Sequence, residues 1–260
     1  MPRGLDHIVH AVRNLDASAD LYRRLGFTVG ARNRHPWGTH NHIVQFPGCF
    51  IELLTLAEPD KLGSDGFSTL FGAYNRDFLQ RGEGLSVLIL ESRDAHVDES
   101  EFREAGILTA PAMRFEREGK RPDGASVKVA FSLTFANDET SPNIRFATCQ
   151  QHYPENFWNP AFQRHANGVT GIVGVVVVAE QPEHHAHFFE TFAGGPVIAS
   201  DGGFAIETPR GTIDMLMPAA FTRRFGVKAP DVSPGPRLAA LGFATDNMSA
   251  LEAMPEQAGI

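Results

Sequence analysis

The sequence predicts an α+β fold in which repeated β-α-β-β-β modules pair into curved mixed sheets that enclose a cleft. The first observation is an internal repeat: the same order of strand and helix signals starts near residues 5, 85 and 172. The second is that a single module has one helix, which covers only one face of its sheet. Pairing two modules buries the remaining face, and we therefore expect a concave site between the halves.

The first module is predicted between residues 4 and 60. Residues 5–12 form an apolar strand, and a helix capped at Asn14 or Asp16 runs to a stop at Gly26. A short strand over 27–29 precedes a hairpin, whose strands cover 41–46 and 49–56 and are joined by Pro-Gly at 47–48. The order of elements is therefore β-α-β-β-β.

The same order predicts a second module over 84–152, with a turn at residues 122–124, and a third over 172–218. A partial fourth module occupies 237–260. We expect two domains: residues 1–165 hold the first two modules, and residues 166–260 hold the third module and the partial fourth.

The charge and composition limit the classes of partner. The chain has 260 residues, with 23 Lys and Arg against 31 Asp and Glu, which gives a net charge of −8. This field repels phosphate backbones, so no nucleic acid is expected as a partner. The longest apolar run, residues 171–179, is far shorter than a membrane span, so no membrane association is expected. Two distant cysteines and a chain that enters a strand directly predict a cytoplasmic protein without a signal peptide.

Glu52 is the most informative residue, because it lies within the apolar strand-like run Phe-Ile-Glu-Leu-Leu at 50–54. Burying a carboxylate is energetically unfavourable unless a cation or a hydrogen bond compensates its negative charge. His7, in another short apolar strand, is the natural companion, and a His and a Glu on neighbouring strands are ordinary ligands for a divalent metal. The alternative is a structural hydrogen bond between the two side chains.

These motifs resemble the vicinal oxygen chelate superfamily, which contains glyoxalases and extradiol dioxygenases. Residues 7–16 are similar to its opening strand with the ligand His, and Ile51-Glu52-Leu53 is similar to its closing strand. Residues 38–42 and 149–156 resemble the glyoxalase-like-domain branch in particular. The resemblance implies a divalent metal ion (Zn, Ni, Mn or Fe), with His7 and Glu52 as ligands.

The second and third modules depart from that pattern. Ser86 stands at the first-strand position of the second module, and its closing strand reads Ala-Thr-Cys-Gln at 147–150. In the third module, Asp214 matches the position of Glu52. A complete set of four ligands is therefore not visible in the sequence.

Two residues are predicted as further metal ligands. His42 shares a strand face with His40, and it completes a set with His7 and Glu52 if the hairpin register turns that face toward the cleft. Gln150, at the end of the second module, is expected to approach from the opposite half as an amide ligand. The alternatives are a polar cleft wall for the histidine and a polar plug over the interface for the amide.

The predicted substrate-binding residues surround the same hairpin and the end of the second module. An arginine together with a tryptophan suits an anionic or planar substrate. The alternative is an ordinary surface loop, or a polar and aromatic plug over the interface. The predicted residues are Arg34, Trp37, His40, Asn41 and His152.

Other residues that could carry chemistry are read as structural. His184, His185 and His187 lie at helical spacings that do not suit a metal, so a solvated helix face is expected. Cys149 is interpreted as a small buried hydrophobe.

The leading functional hypothesis is a metal-dependent enzyme, isomerase- or lyase-like, that acts on a small oxygenated organic substrate. The metal stabilises an enolate-like or oxyanion intermediate, and Glu52 doubles as general base if it is displaced from the metal. Two alternatives stay open: a binding protein that sequesters a small molecule without catalysis, and a ring-cleaving dioxygenase of the extradiol type. The expected partner is a small-molecule substrate, and a homodimer is left open.

Overall fold

The computed structural model describes residues 1–120 and 124–258. Its strands are β1 (Leu5–Ala11), β2 (Asn33–Arg34), β3 (Thr39–Phe46), β4 (Cys49–Leu56), β5 (Gly84–Glu91), β6 (Met113–Lys120), β7 (Ser126–Ala136), β8 (Arg145–Gln151), β9 (Val169–Val178), β10 (Ile198–Ser200), β11 (Gly203–Glu207), β12 (Thr212–Leu216) and β13 (Arg237–Thr245). Its α-helices are α1 (Leu15–Arg24), α2 (Tyr74–Arg81), α3 (Ala95–Glu104), α4 (Pro154–Phe157), α5 (Ala186–Ala193), α6 (Pro218–Phe225) and α7 (Met248–Ala258). Short 3₁₀ segments cover Pro59–Lys61 and Pro182–His185, and a π-helical segment covers Ser68–Ala73.

The first two modules form one eight-stranded mixed sheet with the order β2-β3-β4-β1-β5-β8-β7-β6. Within each module the first and last strands pair in parallel, β1 with β4 and β5 with β8. The modules join where β1 and β5 pair antiparallel. This arrangement confirms the predicted fold class.

The sheet curls so that its two ends approach one another. His35 lies between β2 and β3 at one end, and Phe115 lies on β6 at the other end. Their ring centroids are 5.7 Å apart. A flat sheet of eight strands would hold its ends tens of ångströms apart, because strands are spaced by about 4.8 Å. One face of the sheet is therefore concave.

The third module forms a five-stranded sheet with the order β10-β11-β12-β9-β13. Its first and last strands, β9 and β12, pair in parallel, and β13 pairs antiparallel with β9 as β5 does with β1. The partial fourth module therefore contributes two elements. Its strand β13 joins it to the third module, and its helix is α7. The predicted division into domains at residue 165 stays a prediction.

Local capping explains where the first helix of each paired module begins. The side chain of Asn14 accepts a hydrogen bond from the Ala17 amide at the start of α1. The side chain of Asp94 accepts from the amides of His96 and Val97 at the start of α3. Such caps satisfy amides that have no partner inside the helix. Both helices lie against the convex side of the large sheet.

The main apolar core lies between the two sheets. It contains strand residues of both, such as Ile8, Phe146 and Val175, together with the phenylalanines of α5. A second apolar cluster lies on the concave side of the large sheet and includes Val9 and Trp37. The functional site described below is built on this second cluster.

Some predicted elements differ from the structure. Residues 27–29 are not a strand, and the second strand of the first module is instead the short β2. The helices α2, α4 and α6 lie in segments for which no helix was predicted. The predicted turn at 122–124 lies partly outside the described residues. Within the described part of the chain, no helix has both the length and the apolar character that crossing a bilayer requires.

Candidate functional site

A cavity occupies the concave face of the eight-stranded sheet. Its volume, counted out to the open mouth, is about 590 Å³. Most of the lining is apolar and aromatic, with a few polar groups among it. The lining residues are His7, His35, Trp37, Asn41, Ile43, Phe50, Glu52, Phe67, Phe71, Phe115, Arg117, Phe131, Leu133, Cys149 and Phe157.

His7 and Glu52 both line this cavity from adjacent parallel strands. In the pairing of β1 with β4, His7 lies opposite Phe50, and Val9 lies opposite Glu52. Residues in register share a face of the sheet, and so do residues two apart on one strand. The His7 and Glu52 side chains therefore leave the same face as diagonal neighbours, roughly 8 Å apart at the backbone by strand geometry. Both are buried.

A β-bulge at Asp6 supplies the partner of His7. Two residues of β1, Leu5 and His7, pair with the consecutive residues Leu90 and Ile89 of β5, so Asp6 is the extra residue. Its carboxylate lies 2.5 Å from Nδ1 of His7. A carboxylate at Nδ1 holds the proton on that nitrogen and fixes the ring, which leaves Nε2 as the nitrogen available to a ligand.

The second oxygen of the Asp6 carboxylate accepts a hydrogen bond of 3.0 Å from Nε2 of Gln151. Asp6 is therefore held from β8 while it orients His7. The His7 ring also stacks on Phe50, with centroids 4.2 Å apart and planes 10° apart. These contacts fix the position of the imidazole at the base of the cavity.

Glu52 is held by one hydrogen bond and a low-polarity environment. Its Oε1 accepts from Nδ2 of Asn41 at 2.5 Å. Burial raises the pKa of Glu52 above its ordinary value, while His7, the Asn41 hydrogen bond and the positive charge of Arg117 oppose that rise. A carboxyl group whose pKa is raised in this way is suited to accept and return a proton near neutral pH.

Cys149 completes a cluster of donor atoms. One ligand atom each from Asp6, His7 and Cys149 lies within 4.8 Å of the others, and all three residues are buried. Burial, followed by the negative charges of Asp6 and Glu52, raises the pKa of the Cys149 thiol well above its ordinary value. The sequence interpretation as a small buried hydrophobe missed its position on the cavity. The alternation of side chains along β8 could have indicated this position, because it places residues 147 and 149 on one face of the strand.

The second module contributes apolar groups where the first has His7 and Glu52. The approximate two-fold axis through the β1–β5 pairing exchanges His7 with Val87, and Glu52 with Ala147. Ser86, the residue that the sequence placed in this position, donates its hydroxyl to a side chain of α2 instead. The polar groups of the cavity are therefore asymmetric and belong mainly to the first half.

The third module has the same register, but its carboxylate has a different partner. Asp214 lies opposite Val176, as Glu52 lies opposite Val9, which agrees with the match seen in the sequence. Its carboxylate forms an ion pair of 3.2 Å with Arg224 of α6. Asp214 thus holds a helix against the second sheet.

The wall beside the hairpin is a stack of rings. Trp37 lies between His35 and Phe67, with centroid distances of 4.6 and 4.9 Å and nearly parallel planes. Burial, with the positive charge of Arg117 and His40 nearby, lowers the pKa of His35 to about 3, so its ring is neutral. This wall gives the cavity a flat apolar side that suits a planar group.

The structure does not bring His42 to the cavity. The β3–β4 register places Ile43 opposite Glu52, so Asn41 and Ile43 face the cavity and His42 faces away. Nδ1 of His42 instead lies 2.7 Å from the Gly30 carbonyl. His40, on the same face as His42, pairs with Glu58 at 2.7 Å. In this register the face that carries His40 and His42 is turned away from the cavity, and neither side chain lines it.

Gln150 and His152 are also outside the cavity, because Cys149 occupies the cavity face of β8. The Gln150 amide accepts from the Ala95 amide and donates to the Arg93 carbonyl, both at 3.1 Å, and so anchors the start of α3. His152 contacts the Ser132 hydroxyl at 2.8 Å. Gln150 is thus a structural residue in this geometry and not a ligand that reaches His7.

The predicted substrate-binding residues divide in a similar way. Trp37 and Asn41 line the cavity, whereas Arg34 is exposed on β2 and does not. The arginine that does line the cavity is Arg117, on β6. Sequence reasoning missed it. Phe115 and Arg117 are two residues apart on β6 and therefore lie on one face of that strand. Which face turns inward depends on the curl of the sheet.

Comparisons with solved structures find the same fold in other proteins. A hypothetical protein from Staphylococcus aureus aligns with a TM-score of 0.63 at 14% identity, over 83% of this chain and 86% of that one. A triple mutant of 4-hydroxymandelate synthase from Streptomyces coelicolor aligns with a TM-score of 0.61 at 15% identity, over 100% and 76%. A xylose isomerase-like TIM barrel/4-hydroxyphenylpyruvate dioxygenase fusion protein gives 0.56 at 14%, over 100% and 39%. At these identities the likeness shows the fold alone.

Comparison with curated protein sequences finds no match. A model of the Glyoxalase-like domain family, in contrast, matches residues 5–192, which span both halves of the large sheet and continue through most of α5. The chain therefore belongs to the Glyoxalase-like domain family.

Proposed function

We propose that this protein is a metal-dependent enzyme of the vicinal oxygen chelate type that moves a proton on a small oxygenated substrate, in an isomerase- or lyase-like reaction. One observation carries the proposal. An oriented imidazole, His7, and a buried carboxyl group, Glu52, leave the same face of adjacent strands into one largely apolar cavity. A cavity with few convergent polar groups is the usual form of a small-molecule site.

The side chains at the base of the cavity would supply donors to a divalent cation. Asp6, His7 and Cys149 each have one ligand atom within 4.8 Å of the others, and Asp6 orients the imidazole from behind. Glu52 lines the same cavity outside that cluster, and its carboxylate would join His7 and Cys149 when a cation binds. Nitrogen, oxygen and sulfur donors together suit zinc, nickel or iron better than manganese. When bound, such a cation would polarise a substrate oxygen and stabilise the negative charge that develops on it.

Glu52 is the group proposed to transfer the proton. As a carboxylate it removes a proton from the carbon next to a carbonyl group, and as a carboxylic acid it returns that proton to a neighbouring atom, so the net reaction is a rearrangement. Asn41 holds the carboxyl group in place. The ring wall around Trp37 surrounds the site with groups of low polarity, which strengthens the electrostatic interactions inside it.

A second function, sequestration of a small molecule without catalysis, is supported by one observation. Val87 and Ala147 stand where a symmetric site would have two further ligands, so the cavity is more apolar than a complete ligand set would make it. A ring-cleaving dioxygenase has less support, because it uses two histidines and a carboxylate. In this cavity His42 faces away, and the neutral His35 stacks in the wall.

The test is the metal content of the purified protein, measured by inductively coupled plasma mass spectrometry after dialysis against zinc, nickel, iron or manganese. We expect close to one metal per chain, lost in both His7→Ala and Glu52→Gln. His96→Ala and Glu104→Gln are matched controls at exposed positions and should keep the metal. Metal that survives in both cavity variants, or a chain that binds none of the four ions, would contradict the proposal and favour sequestration.

A further inference from the structure

Arg117 brings a positive charge into the cavity, and no carboxylate in the described part of the chain neutralises it by direct contact. It lies on β6 and lines the cavity beside the aromatic wall. Its described hydrogen bond is to the neighbouring carbonyl of Glu118, at 3.3 Å. Among residues 1–120 and 124–258, no carboxylate oxygen forms an ion pair with it, although Glu52 is near enough to feel its charge.

The neighbouring charges on β6 behave differently. Arg114 forms an ion pair of 3.1 Å with Glu116, and Lys128 of β7 binds the same carboxylate at 2.7 Å. These groups lie on the outer face of the strand and neutralise one another in contact with solvent. Arg117, on the inner face, is left with a half-buried guanidinium directed among phenylalanines. A buried or half-buried charge without a partner is costly unless a ligand supplies one.

A second donor near Arg117 also lacks a partner. Nε1 of Trp37 is fully buried and has no acceptor among the described residues. Trp37 is in ring contact with Phe115, which is two residues from Arg117 on the same face of β6. His35, which stacks on Trp37, is close enough to Arg117 to feel its charge. The guanidinium and the indole therefore lie in the same part of the wall, and both can donate to an acceptor from outside.

The rest of the lining gives the shape of the ligand. Six phenylalanines and the edge of the Trp37 stack surround the space between Arg117 and the His7–Glu52 pair. A guanidinium binds a carboxylate through two parallel hydrogen bonds, and aromatic walls accept a flat apolar body.

We infer that the cavity selects a planar apolar carboxylate, whose carboxylate binds Arg117 and whose ring lies among the phenylalanines. This inference rests on the proposed function only in taking the cavity as the substrate site. It assigns the substrate carboxylate to Arg117 and not to a metal at His7.

The experiment compares two flat probes of equal size, 2-naphthoate and its neutral analogue 2-naphthamide, by isothermal titration calorimetry on the full chain. We expect the carboxylate to bind at least tenfold more tightly than the amide. Arg117→Gln should reduce that preference to about twofold or less, and Arg117→Lys should keep part of it. Arg114→Gln, the matched control on the outer face of β6, should keep all of it.

Two further measurements separate the possible failures. Thermal melts of each variant establish that it is folded. In His7→Ala, which removes the proposed metal ligand, the preference for the carboxylate should survive.

Loss of the preference in His7→Ala with retention in Arg117→Gln would overturn the inference while supporting a metal site. Failure of both probes to bind the native chain, or equal affinity for them, would also overturn it. Survival of the Arg117 effect in a chain that binds no metal would overturn only the proposed function.

Discussion

Trp37 and Phe115 are in ring contact, with centroids 5.1 Å apart and planes at 71°. Trp37 lies in the connection between the first two strands of the sheet order, and Phe115 lies on β6, the last strand. This contact closes the concave face across eight strands. It turns a curved sheet into a cavity with a wall on both sides, and it places Arg117 next to residues of the first module.

Removing the Phe115 ring should loosen this closure. For Phe115→Ala we expect a loss of about 1–3 kcal/mol in the free energy of unfolding, below the range for a fully buried phenylalanine because Phe115 is only half-buried. The affinity for 2-naphthoate should fall as well. Urea denaturation and calorimetry provide the two measurements. Phe162→Ala, at an exposed site, is the control, and an equal effect there would contradict this role of the contact.

Asp6 should control the affinity of the proposed metal site without being part of the cavity lining. Asp6→Asn keeps the size of the side chain but removes the charge that orients His7 through Nδ1. We expect metal affinity to fall about 10–100-fold, the usual effect of losing such a partner. Competition with a fluorescent chelator measures the affinity, and Asp20→Asn on the exposed face of α1 is the control. Unchanged affinity in Asp6→Asn would show that Asp6 does not support the ligand.

Both cysteines should be unreactive in the folded, metal-free protein. Burial raises the pKa of Cys49 and of Cys149, so neither thiol forms the thiolate that reacts with Ellman's reagent. We expect almost no colour at pH 8 until denaturant is added, and then two thiols per chain. Cys149→Ser should leave one. Rapid modification of Cys149 in the native chain would contradict the closed environment described here.

The buried carboxyl group of Glu52 should lower the free energy of unfolding of the metal-free protein at neutral pH. Burial raises its folded pKa, so between its unfolded pKa of about 4.3 and that higher folded value the native state keeps a proton that the unfolded state releases. Stability due to this group therefore falls as pH rises through that window. Glu52→Gln lacks the titration and can keep the hydrogen bond from Asn41.

We therefore expect Glu52→Gln to melt about 2–6 °C above the native chain at pH 7, with a difference that shrinks toward zero near pH 4. Differential scanning calorimetry from pH 4 to pH 8, in the presence of a chelator, measures this. The exposed variant Glu104→Gln should show no such pH-dependent gain. A destabilised Glu52→Gln at pH 7 would mean that the charge is compensated in the native state.

The hairpin shows how far local patterns can define the site. The predicted hairpin turn at residues 47–48 is correct, with Phe46 opposite Cys49. That two-residue connection already fixes Ile43 opposite Glu52, and it therefore turns His42 away from the cavity. The sequence interpretation allowed the His42 side chain to point either toward the cavity or away from it. Counting residue pairs along the hairpin from its turn would have decided between these two orientations.

The sequence by itself determined the order of modules and placed His7 and Glu52 on the strands that hold them. These features depend on the period of apolar residues, on caps and on turns, which act over a few residues. The tertiary structure alone decided that Asp6 reaches His7, because a bulge is a property of two paired strands. It also decided that Arg117 and Trp37 share a wall, because that depends on the curl accumulated over eight strands, which no short stretch of sequence encodes.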